Sequence, residues 1–339
     1  MNFQPFEDID YKPFDPENNL DPDNNFFNNK QRVTNSDYYL DEQFNTNIKL
    51  ENALSVIHLN SRSLYKNFTK IKEYLTKFNK FKIIAISETW LDEDKTTEME
   101  IEGYEMFATN RENKKGGGVA IYVDKALKCS KIERLTNTIE YLMECLTIEI
   151  HNKKASNIII SCIYRTPGTC IDTFNKKKDM LSYYNDKKTR IICGDFNIDL
   201  LNPNRHKKTT DLINTMYSNS FFPVILKPSR ITVDTATLID NIFINKIDHK
   251  MESGLLINDI SDHLPVFAVF HNYFDRKAKS TTRITEIRLR TQRSIDAFKQ
   301  DLEKQNWTEV YSNEDPNTAF EVFQSTIISL YDNIYIQKV

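Results

Sequence analysis

The segment ISDHLPVF, residues 260–267, places three polar side chains directly before an apolar run that is typical of a buried strand. A solvated turn explains Ser261 and Asp262. His263, at the entry of the strand, is either an ordinary loop residue or one member of a catalytic pair. The rest of the chain has to decide between these two interpretations.

Similar apolar runs recur along the chain, and most are short enough to be strands. The other strand candidates are LSVIHL (54–59), KIIAISE (82–88), GGGVAIYV (116–123), YLMECLTIEI (141–150), NIIISCIY (157–164), RIICGDF (190–196) and LIDNIFIN (238–245). Helical spacing is found in residues 68–78, 171–184 and 209–220. Because strands outnumber helices and end at polar clusters, the order predicts an α+β fold, a four-layer α/β/β/α sandwich with helices outside two packed sheets.

The chain has 339 residues, 40% of them hydrophobic, and a formal net charge of −3. This charge is distributed unevenly along the sequence. Residues 1–50 hold ten acidic and four basic side chains, so the remaining 38 acidic and 41 basic residues give the rest a charge of +3. We predict a disordered, acidic, Asn-rich tail over 1–50, a folded domain over 51–272 and a basic, helical linker over 273–339. In that linker Asp315 and Pro316 are placed to begin a helix.

The cysteines indicate a reducing compartment. They are Cys129, Cys145, Cys162, Cys170 and Cys193, an odd set without a C-x-x-C pair and mostly within apolar runs. The amino terminus lacks a basic start and an apolar segment, and no run approaches the roughly 20 apolar residues of a membrane helix. We expect a soluble intracellular protein, in nucleus and cytoplasm, without a membrane partner.

Polar residues recur where the predicted strands end, and rigid strand ends can hold side chains within the tolerances of a reaction. They are Asn60, Glu88, Tyr164, Asp195, Asn197, Asp240, Asp262 and His263. Taken singly, each has an ordinary structural explanation as a turn residue, a loop acid or a core aromatic. The functional interpretation rests on their occurring together.

This combination resembles the endonuclease/exonuclease/phosphatase superfamily, which includes exonuclease III and the apurinic-site endonucleases. The resemblance covers residues 53–270; GDFN and SDHLP are the most specific motifs, with SETWL, YRTPG and LIDNIF at the expected places between them. HLNSRSL, IIAISETWL, GGGVAIYV and IYRTPG are similar to the endonuclease domain of LINE-type (non-LTR) retrotransposon polyproteins. The resemblance implies the four-layer sandwich of the exonuclease III and deoxyribonuclease type.

The resemblance also implies roles for the strand-end residues. Glu88 matches the family's metal ligand, with Asn60 and Asp262 close by, and such oxygen ligands favour Mg²⁺ or Mn²⁺. Asp195 matches the residue that orients or deprotonates the attacking water, with the Asn197 amide positioning it. The remaining catalytic candidates are the pair of His263 with Asp240, the hydroxyl of Tyr164, and Asn60 itself. Which group is the general base stays open.

Position 62 departs from the pattern of the repair enzymes, which usually carry an acidic residue two places after the first Asn. Arg62 stands there, and retrotransposon members often have a basic residue at this place. The departure argues against a repair enzyme and leaves the number of metal ions open. The candidates for contact with DNA are Arg62, Arg165, Ser229, Thr232 and Thr237.

The triple glycine of KKGGGVA (114–120) has a different interpretation. No Lys-Ser or Lys-Thr follows it and no helix is predicted after it, so a phosphate-binding loop is not indicated. A tight turn into a strand is the better interpretation.

The function that the sequence predicts is a Mg²⁺-dependent endonuclease that nicks one DNA strand and leaves a 3′ hydroxyl, which primes reverse transcription of a retrotransposon RNA. No Y-x-D-D polymerase motif is present, so we expect a fragment whose link to element RNA runs through a missing polymerase domain. Two alternatives stay open: a phosphodiesterase or phosphatase of the same superfamily acting on phosphoinositides or poly(A), and an inactive nucleic-acid-binding remnant.

Overall fold

The computed structural model describes residues 36–111, 116–139, 142–152, 156–169, 188–201, 206–246, 251–271, 286–288 and 292–338. These residues fall into two compact units, one over 36–271 and one that comprises 286–288 and 293–338. Each unit is described by itself. The helix predicted over 171–184 lies outside the described residues.

Seven strands form the first sheet within these ranges: β1 (Asp37–Tyr39), β2 (Leu54–Asn60), β3 (Ile83–Ser87), β4 (Tyr104–Thr109), β5 (Val119–Asp124), β15 (Met251–Leu256) and β16 (Val266–Phe270). Their spatial order is β1-β15-β16-β2-β3-β5-β4. The central strands β2 and β3 run parallel, and β16 and β5 flank them in antiparallel pairing. The carboxyl ends of β2 and β3 therefore meet the amino end of β16 at one edge of the sheet.

The second sheet has, among the described residues, β6 (Lys128–Lys131), β7 (Asn137–Ile139), β8 (Met143–His151), β9 (Ile158–Arg165), β10 (Thr189–Asp195), β11 (Phe222–Pro223) and β14 (Asp240–Ile244). Its order is β11-β14-β10-β9-β8-β6, with β7 beside β8. Here β9 and β10 are parallel, and β14 is antiparallel to β10. A hairpin of β12 (Arg230–Ile231) and β13 (Ala236–Thr237) precedes β14.

Helices pack outside the two sheets, which confirms the predicted four-layer α/β/β/α class. They are α1 (Asp41–Asn47), α2 (Leu64–Leu75), α3 (Glu93–Thr96) and α4 (Lys207–Ser218), with a 3₁₀ turn at Glu133–Leu135. Strand alternation explains the packing. In β2, Leu54 and Val56 join the core with the second sheet, whereas Ile57 joins the cluster of α1 and α2. Leu212 and Met216 of α4 pack with the second sheet's residues.

Gly194 in the GDFN motif is required by the approach of β9. A Cβ at this position would lie 1.9 Å from the carbonyl oxygen of Ile163, and its φ of +154° is one that side chains rarely adopt. The glycine lets β10 run close to β9, so that the next residue, Asp195, lies opposite Tyr164. The motif thus has a packing reason as well as a chemical one.

The segment before residue 50 is part of the fold, so the predicted extent of the tail is wrong for residues 36–50. β1 pairs in parallel with β15, and Gly254 of β15 makes room for it, because a Cβ there would lie 2.6 Å from the Asp37 carbonyl oxygen. The Tyr38 hydroxyl donates to the carbonyl of Pro228 at 3.0 Å. Residues 1–35 lie outside the described ranges.

The second unit contains helices α5 (Gln292–Lys304), α6 (Thr308–Ser312) and α7 (Pro316–Tyr335), and strands β17 (Glu286–Arg288) and β18 (Ile336–Lys338) in antiparallel pairing. The predicted helix start is confirmed, because the Asp315 carboxylate accepts from the Thr318 backbone at 3.0 Å. The rings of Trp307 and Phe323 lie 5.3 Å apart. In the described parts of the chain, no helix combines the length and the apolar character needed to cross a membrane.

Candidate active site

The strand-end residues meet at one place because both sheets bring parallel strands to the same edge. Asn60 ends β2 beside Ser87, the last residue of β3, and Asp195 ends β10 opposite Asp240, the first residue of β14. His263 lies just before β16. The structure therefore brings together residues that are distant in sequence, as the strand-end pattern predicted.

Asn60 links the two sheets. Its side-chain amide donates to Glu88 Oε1 at 2.9 Å and to Asp195 Oδ2 at 2.8 Å. Asp195 is fully buried and also accepts from the backbone N–H of Asn197 at 2.9 Å. Burial and the nearby charges of Asp240 and Glu88 raise the pKa of Asp195 well above its usual range.

His263 and Asp240 form the pair that the resemblance implied. His263 Nδ1 lies 2.8 Å from Asp240 Oδ2, and the same oxygen accepts from the Ser229 hydroxyl at 2.8 Å. Although burial opposes the charged imidazole, the charge and hydrogen bond of Asp240 raise the pKa of His263 to about 9. Although burial also opposes the Asp240 carboxylate, His263 lowers its pKa. His263 is thus an imidazolium at neutral pH, with Nε2 left for a substrate.

The loops at the site hold unusual backbone conformations. Arg62, Glu88 and Asn197 have φ values of +40°, +53° and +47°. Such left-handed conformations cost on the order of 1–3 kcal/mol for residues other than glycine, and they cluster at functional sites. All three residues lie within two positions of the ends of β2, β3 and β10, where the site is formed.

The triple glycine holds the SETW loop, as a tight turn into β5. The backbone N–H groups of Thr89 and Trp90 donate to the carbonyls of Gly118 and Gly117. A Cβ on Gly118 would lie 2.4 Å from Thr89 Oγ1, so a larger residue would displace this loop. The Trp90 indole in turn donates to Glu88 Oε2 at 3.2 Å. The glycines therefore support Glu88 rather than a phosphate group.

Tyr164 lies beside the acidic residues, as predicted. It is buried in β9, and its register partners are Asp195 in β10 and Glu144 in β8. Burial, together with the charges of Glu88 and Asp195, raises the pKa of its hydroxyl. The hydroxyl therefore stays protonated at neutral pH and can act as a hydrogen-bond donor.

Two residues predicted to contact DNA, Arg165 and Ser229, make buried hydrogen bonds within the protein. The guanidinium of Arg165 is buried and donates to the carbonyls of Phe196, at 3.1 Å, and Thr169. The Asn197 side chain returns a bond to the Arg165 carbonyl at 2.7 Å. Ser229 is buried against Asp240. The hydrogen bonds of both side chains run to backbone carbonyls or to Asp240, which favours a supporting role, and their contact with DNA stays a prediction.

The exposed hairpin β12–β13 carries the other predicted contacts. Thr232 is exposed and hydrogen-bonds Thr235 at 2.8 Å, and Thr237 is half-buried opposite Arg230. Val233, at the tip of the hairpin, is fully exposed. This projecting hairpin is compatible with a groove contact, and that role of Thr232 and Thr237 stays a prediction.

Asp262 has partners that the resemblance did not indicate. Its Oδ1 accepts from Arg62 Nη1 and its Oδ2 from Arg230 Nε, both at 2.8 Å. Although burial opposes the charge, these hydrogen bonds lower the pKa of Asp262 to about 2. The carboxylate predicted to bind metal thus has both oxygens bound to guanidinium groups.

Two residues of the site were missed by the sequence reasoning. His58 shares a face of β2 with Asn60, and its Nε2 lies 3.1 Å from Ser87 Oγ, with Nδ1 3.9 Å from Asp240 Oδ1. Burial lowers the pKa of His58 to about 4, so this second imidazole is neutral. Its spacing of two from Asn60 was a usable signal. Arg230 offered none apart from its adjacency to Ser229.

The donor set suits a hard divalent cation. The charges of Asp240 and Glu88 both act to raise the pKa of Asp195, and a cation among these carboxylates would relieve the repulsion. Among the described residues, the ligand atoms of Asp195, Asp240 and His263 lie within 4.8 Å of one another. Within this group His263 and Asp240 hydrogen-bond each other, and Glu88 and Asn60 offer further oxygen ligands beside Asp195.

Comparison with known proteins supports the fold. No family model and no curated protein matches the sequence. The endonuclease domain of TRAS1, a telomere-specific non-LTR retrotransposon, is a solved structure with a TM-score of 0.52 and 16% identity, over 65% of this chain and 98% of that domain. The AP endonuclease LMAP from Leishmania major gives a TM-score of 0.54 and 12% identity, over 71% of this chain and 95% of that protein.

By their names, one of these structures is an endonuclease domain and the other an AP endonuclease. The chain has their fold, which confirms at this level the resemblance drawn from GDFN and SDHLP. At 12% and 16% identity the likeness concerns the fold alone, so the activity has to be argued from the site.

Proposed function

We propose that this protein is a metal-dependent DNA endonuclease that nicks one strand and leaves a 3′ hydroxyl. One observation carries the proposal: an imidazolium paired with a buried carboxylate, His263 with Asp240, lies in the same site as Asp195, which Asn60 connects to Glu88. Hydrolysis of a phosphodiester needs a positioned water, relief of the charge that develops on the phosphate, and help for the leaving oxygen. The site contains a group for each requirement.

The chain's own residues divide this work. Asp195, fully buried and with a raised pKa, is suited to orient the attacking water and accept its proton. His263 donates from Nε2 to a phosphate oxygen as negative charge accumulates, and the Tyr164 hydroxyl donates from the neighbouring strand. Asn197 holds the Asp195 loop through its bond to the Arg165 carbonyl.

The metal is proposed as Mg²⁺, with Mn²⁺ as a substitute, held by Glu88 with the side-chain oxygen of Asn60. Such an ion, when bound, acts as a Lewis acid toward the phosphate. Asn60 Oδ1 lies 3.1 Å from the Arg62 backbone N–H, and Glu88 keeps lone pairs beyond its two hydrogen bonds.

A retrotransposon setting is part of the proposal. The TRAS1 domain supplies a fold neighbour of this kind, and HLNSRSL with Arg62 matches the branch more closely than the repair enzymes. The nick would then provide the primer for reverse transcription by a polymerase on another segment. DNA is the proposed substrate, and element RNA would be a partner only through that polymerase.

The experiment is a nicking assay with the full chain and supercoiled plasmid. We expect conversion to open circle with Mg²⁺ and none with EDTA, and we expect DNA polymerase to extend the nick without prior phosphatase treatment, which reports the 3′ hydroxyl. The control is Asp94→Asn, which removes one negative charge from an exposed position on α3. This variant should nick plasmid normally.

Parallel reactions separate the alternatives. Release of phosphate from phosphoinositides, or shortening of poly(A), without plasmid nicking would favour the other hydrolases of the superfamily. Plasmid binding without any product would favour an inactive remnant. Nicking that persists in EDTA would contradict the metal dependence.

A further inference from the structure

Asp262 and His263 are adjacent in sequence but have different partners. His263 pairs with buried Asp240, whereas both oxygens of Asp262 accept from arginine side chains. Arg62 Nη1 reaches Oδ1 at 2.8 Å, and Arg230 reaches Oδ2 through Nε and Nη2, each at 2.8 Å. One carboxylate thus holds two guanidinium groups side by side.

Exposure shows that these contacts are poorly suited to stabilise the fold. The Arg62, Arg230 and Asp262 side chains are 49%, 39% and 25% exposed. Ion pairs at such positions contribute about 0–1 kcal/mol to stability, because water screens them. Arg62 also adopts a left-handed backbone, which costs energy. A costly conformation with little gain in stability indicates a functional reason for the arrangement.

Each arginine is fixed to a residue of the active site. The Arg62 backbone N–H donates to Asn60 Oδ1 at 3.1 Å, and Arg230 forms a backbone bridge with His263. The backbone N–H of Leu264 adds a bond of 2.7 Å to the Ser229 carbonyl. The backbones of the two arginines are therefore fixed beside Asn60 and His263, and Asp262 holds their guanidinium groups.

The donors left over suit a phosphate. Each guanidinium has five N–H donors in a planar fork. Asp262 engages one nitrogen of Arg62 and two of Arg230, so both half-exposed groups keep donors for a further acceptor. Two positive charges against one negative leave a net +1 here, and arginine forks match the oxygens of a phosphodiester.

We propose that Arg62, Asp262 and Arg230 form an arginine clamp that binds a backbone phosphate of the DNA beside the one being cleaved. Asp262 is then the spacer that holds the two forks in place and not a metal ligand. The clamp rests on the proposed function for the identity of its ligand, but its binding role can be measured without cleavage.

The binding test uses a 20-base-pair duplex, the full chain, EDTA and fluorescence anisotropy over a series of salt concentrations. Arg62→Gln and Arg230→Gln should each weaken binding about tenfold and lower the slope of log K against log salt by about 0.9, the value for one lost phosphate contact. Arg230→Lys should keep the slope but not the full affinity, because it retains the charge without the fork. Lys70→Gln, an exposed change on α2, is the control and should alter neither quantity by as much.

A second measurement tests the spacer role by Mn²⁺ titration followed by electron paramagnetic resonance. Asp262→Asn should bind Mn²⁺ within about twofold of the parent protein, whereas Glu88→Gln should lose at least about tenfold. Equal losses in the two variants would identify Asp262 as a metal ligand and overturn its role as spacer. Circular dichroism of every variant checks that the fold is retained.

The results separate the clamp from the nuclease proposal. If the glutamine variants weaken duplex binding but the parent protein does not nick plasmid, the arginine clamp is supported and the nuclease proposal is wrong. Nicking by the parent protein with unchanged duplex binding in both glutamine variants would overturn the clamp and leave the nuclease. A parent protein with no measurable duplex binding would also overturn the clamp.

Discussion

Two ion pairs of equal length stand on adjacent residues of the active site. His263 Nδ1 lies 2.8 Å from Asp240 Oδ2, and Arg62 Nη1 lies 2.8 Å from Asp262 Oδ1. The first pair is buried with 5% and 1% of its side chains exposed, whereas the second is 49% and 25% exposed. The same distance therefore occurs in a poorly solvated and in a solvated setting.

The difference teaches that environment assigns the roles. In the buried pair the imidazole pKa rises to about 9, because the carboxylate charge is little screened and outweighs the cost of burial. In the exposed pair, water weakens the attraction and leaves the guanidinium accessible. We therefore expect chemistry and stability to depend on the buried pair, and DNA binding to depend on the exposed one.

The largest expected loss of nicking follows from replacing Asp195, the buried carboxylate beside the His263–Asp240 pair. Asp195→Asn should lower plasmid nicking by at least about 10³-fold, because it removes the group that orients and deprotonates the water. The rate of open-circle formation measures this, with Asp94→Asn as the matched exposed change. Activity within tenfold of the parent protein would show that Asp195 has another role.

The next largest loss of nicking is expected when the buried His263–Asp240 pair is broken. His263→Gln and Asp240→Asn should each lower nicking by about 10²-fold or more, since one removes the donor and the other removes the charge that keeps it protonated. Single-turnover nicking rates measure the loss. The combined variant should lose little beyond either change alone, because both act through one imidazolium. Fully additive losses would mean that the two residues act independently.

A smaller effect concerns the pH dependence of stability. Because the pKa of His263 is about 9 in the fold and about 6.5 in an unfolded chain, the pair stabilises the protein fully below pH 6.5 and loses this contribution as pH rises through 9. The contribution is about 3 kcal/mol, because each unit of difference between the folded and unfolded pKa corresponds to about 1.4 kcal/mol. Urea unfolding in EDTA should show a gap between the parent protein and His263→Gln that narrows from pH 6 to pH 9.5. A constant gap would contradict the raised pKa.

The smallest expected effect is the coupling energy of the exposed ion pair between Arg62 and Asp262. A double-mutant cycle of Arg62→Gln and Asp262→Asn should give a coupling energy below about 1 kcal/mol in urea unfolding at neutral pH. The same cycle across the buried pair should give a larger value. Equal coupling in the two cycles would show that solvent exposure does not distinguish them.

Much of the site was predictable because its residues lie where apolar strand segments begin or end. Asn60, Asp195 and Asp240 follow or begin apolar runs, and parallel pairing then brings such ends together without further information. The family resemblance predicted that His263 pairs with Asp240 and not with its sequence neighbour Asp262. The 2.8 Å contact between His263 and Asp240 agrees with that pairing.

What could not be predicted depends on contacts between distant residues. Arg230 and Arg62 meet Asp262 across 32 and 200 positions, and no local pattern encodes that meeting. Arg165 was predicted to contact the substrate, and the sequence did not show that its guanidinium would be buried against backbone carbonyls. The polar composition of residues 36–50 predicted disorder, whereas β1 pairs with β15 and Phe44 of α1 packs against Phe78 and Phe267.

The pairing of β1 with β15 has a consequence for solubility. Without β1, the backbone donors and acceptors of β15 would form an open sheet edge, and such edges recruit other extended chains and lead to aggregation. A shortened protein that begins at residue 51 would also lose the Tyr38 bond to Pro228, two residues before the arginine clamp's hairpin. The three-residue strand β1 thus covers part of β15 and leaves a shorter exposed strand on that side of the first sheet.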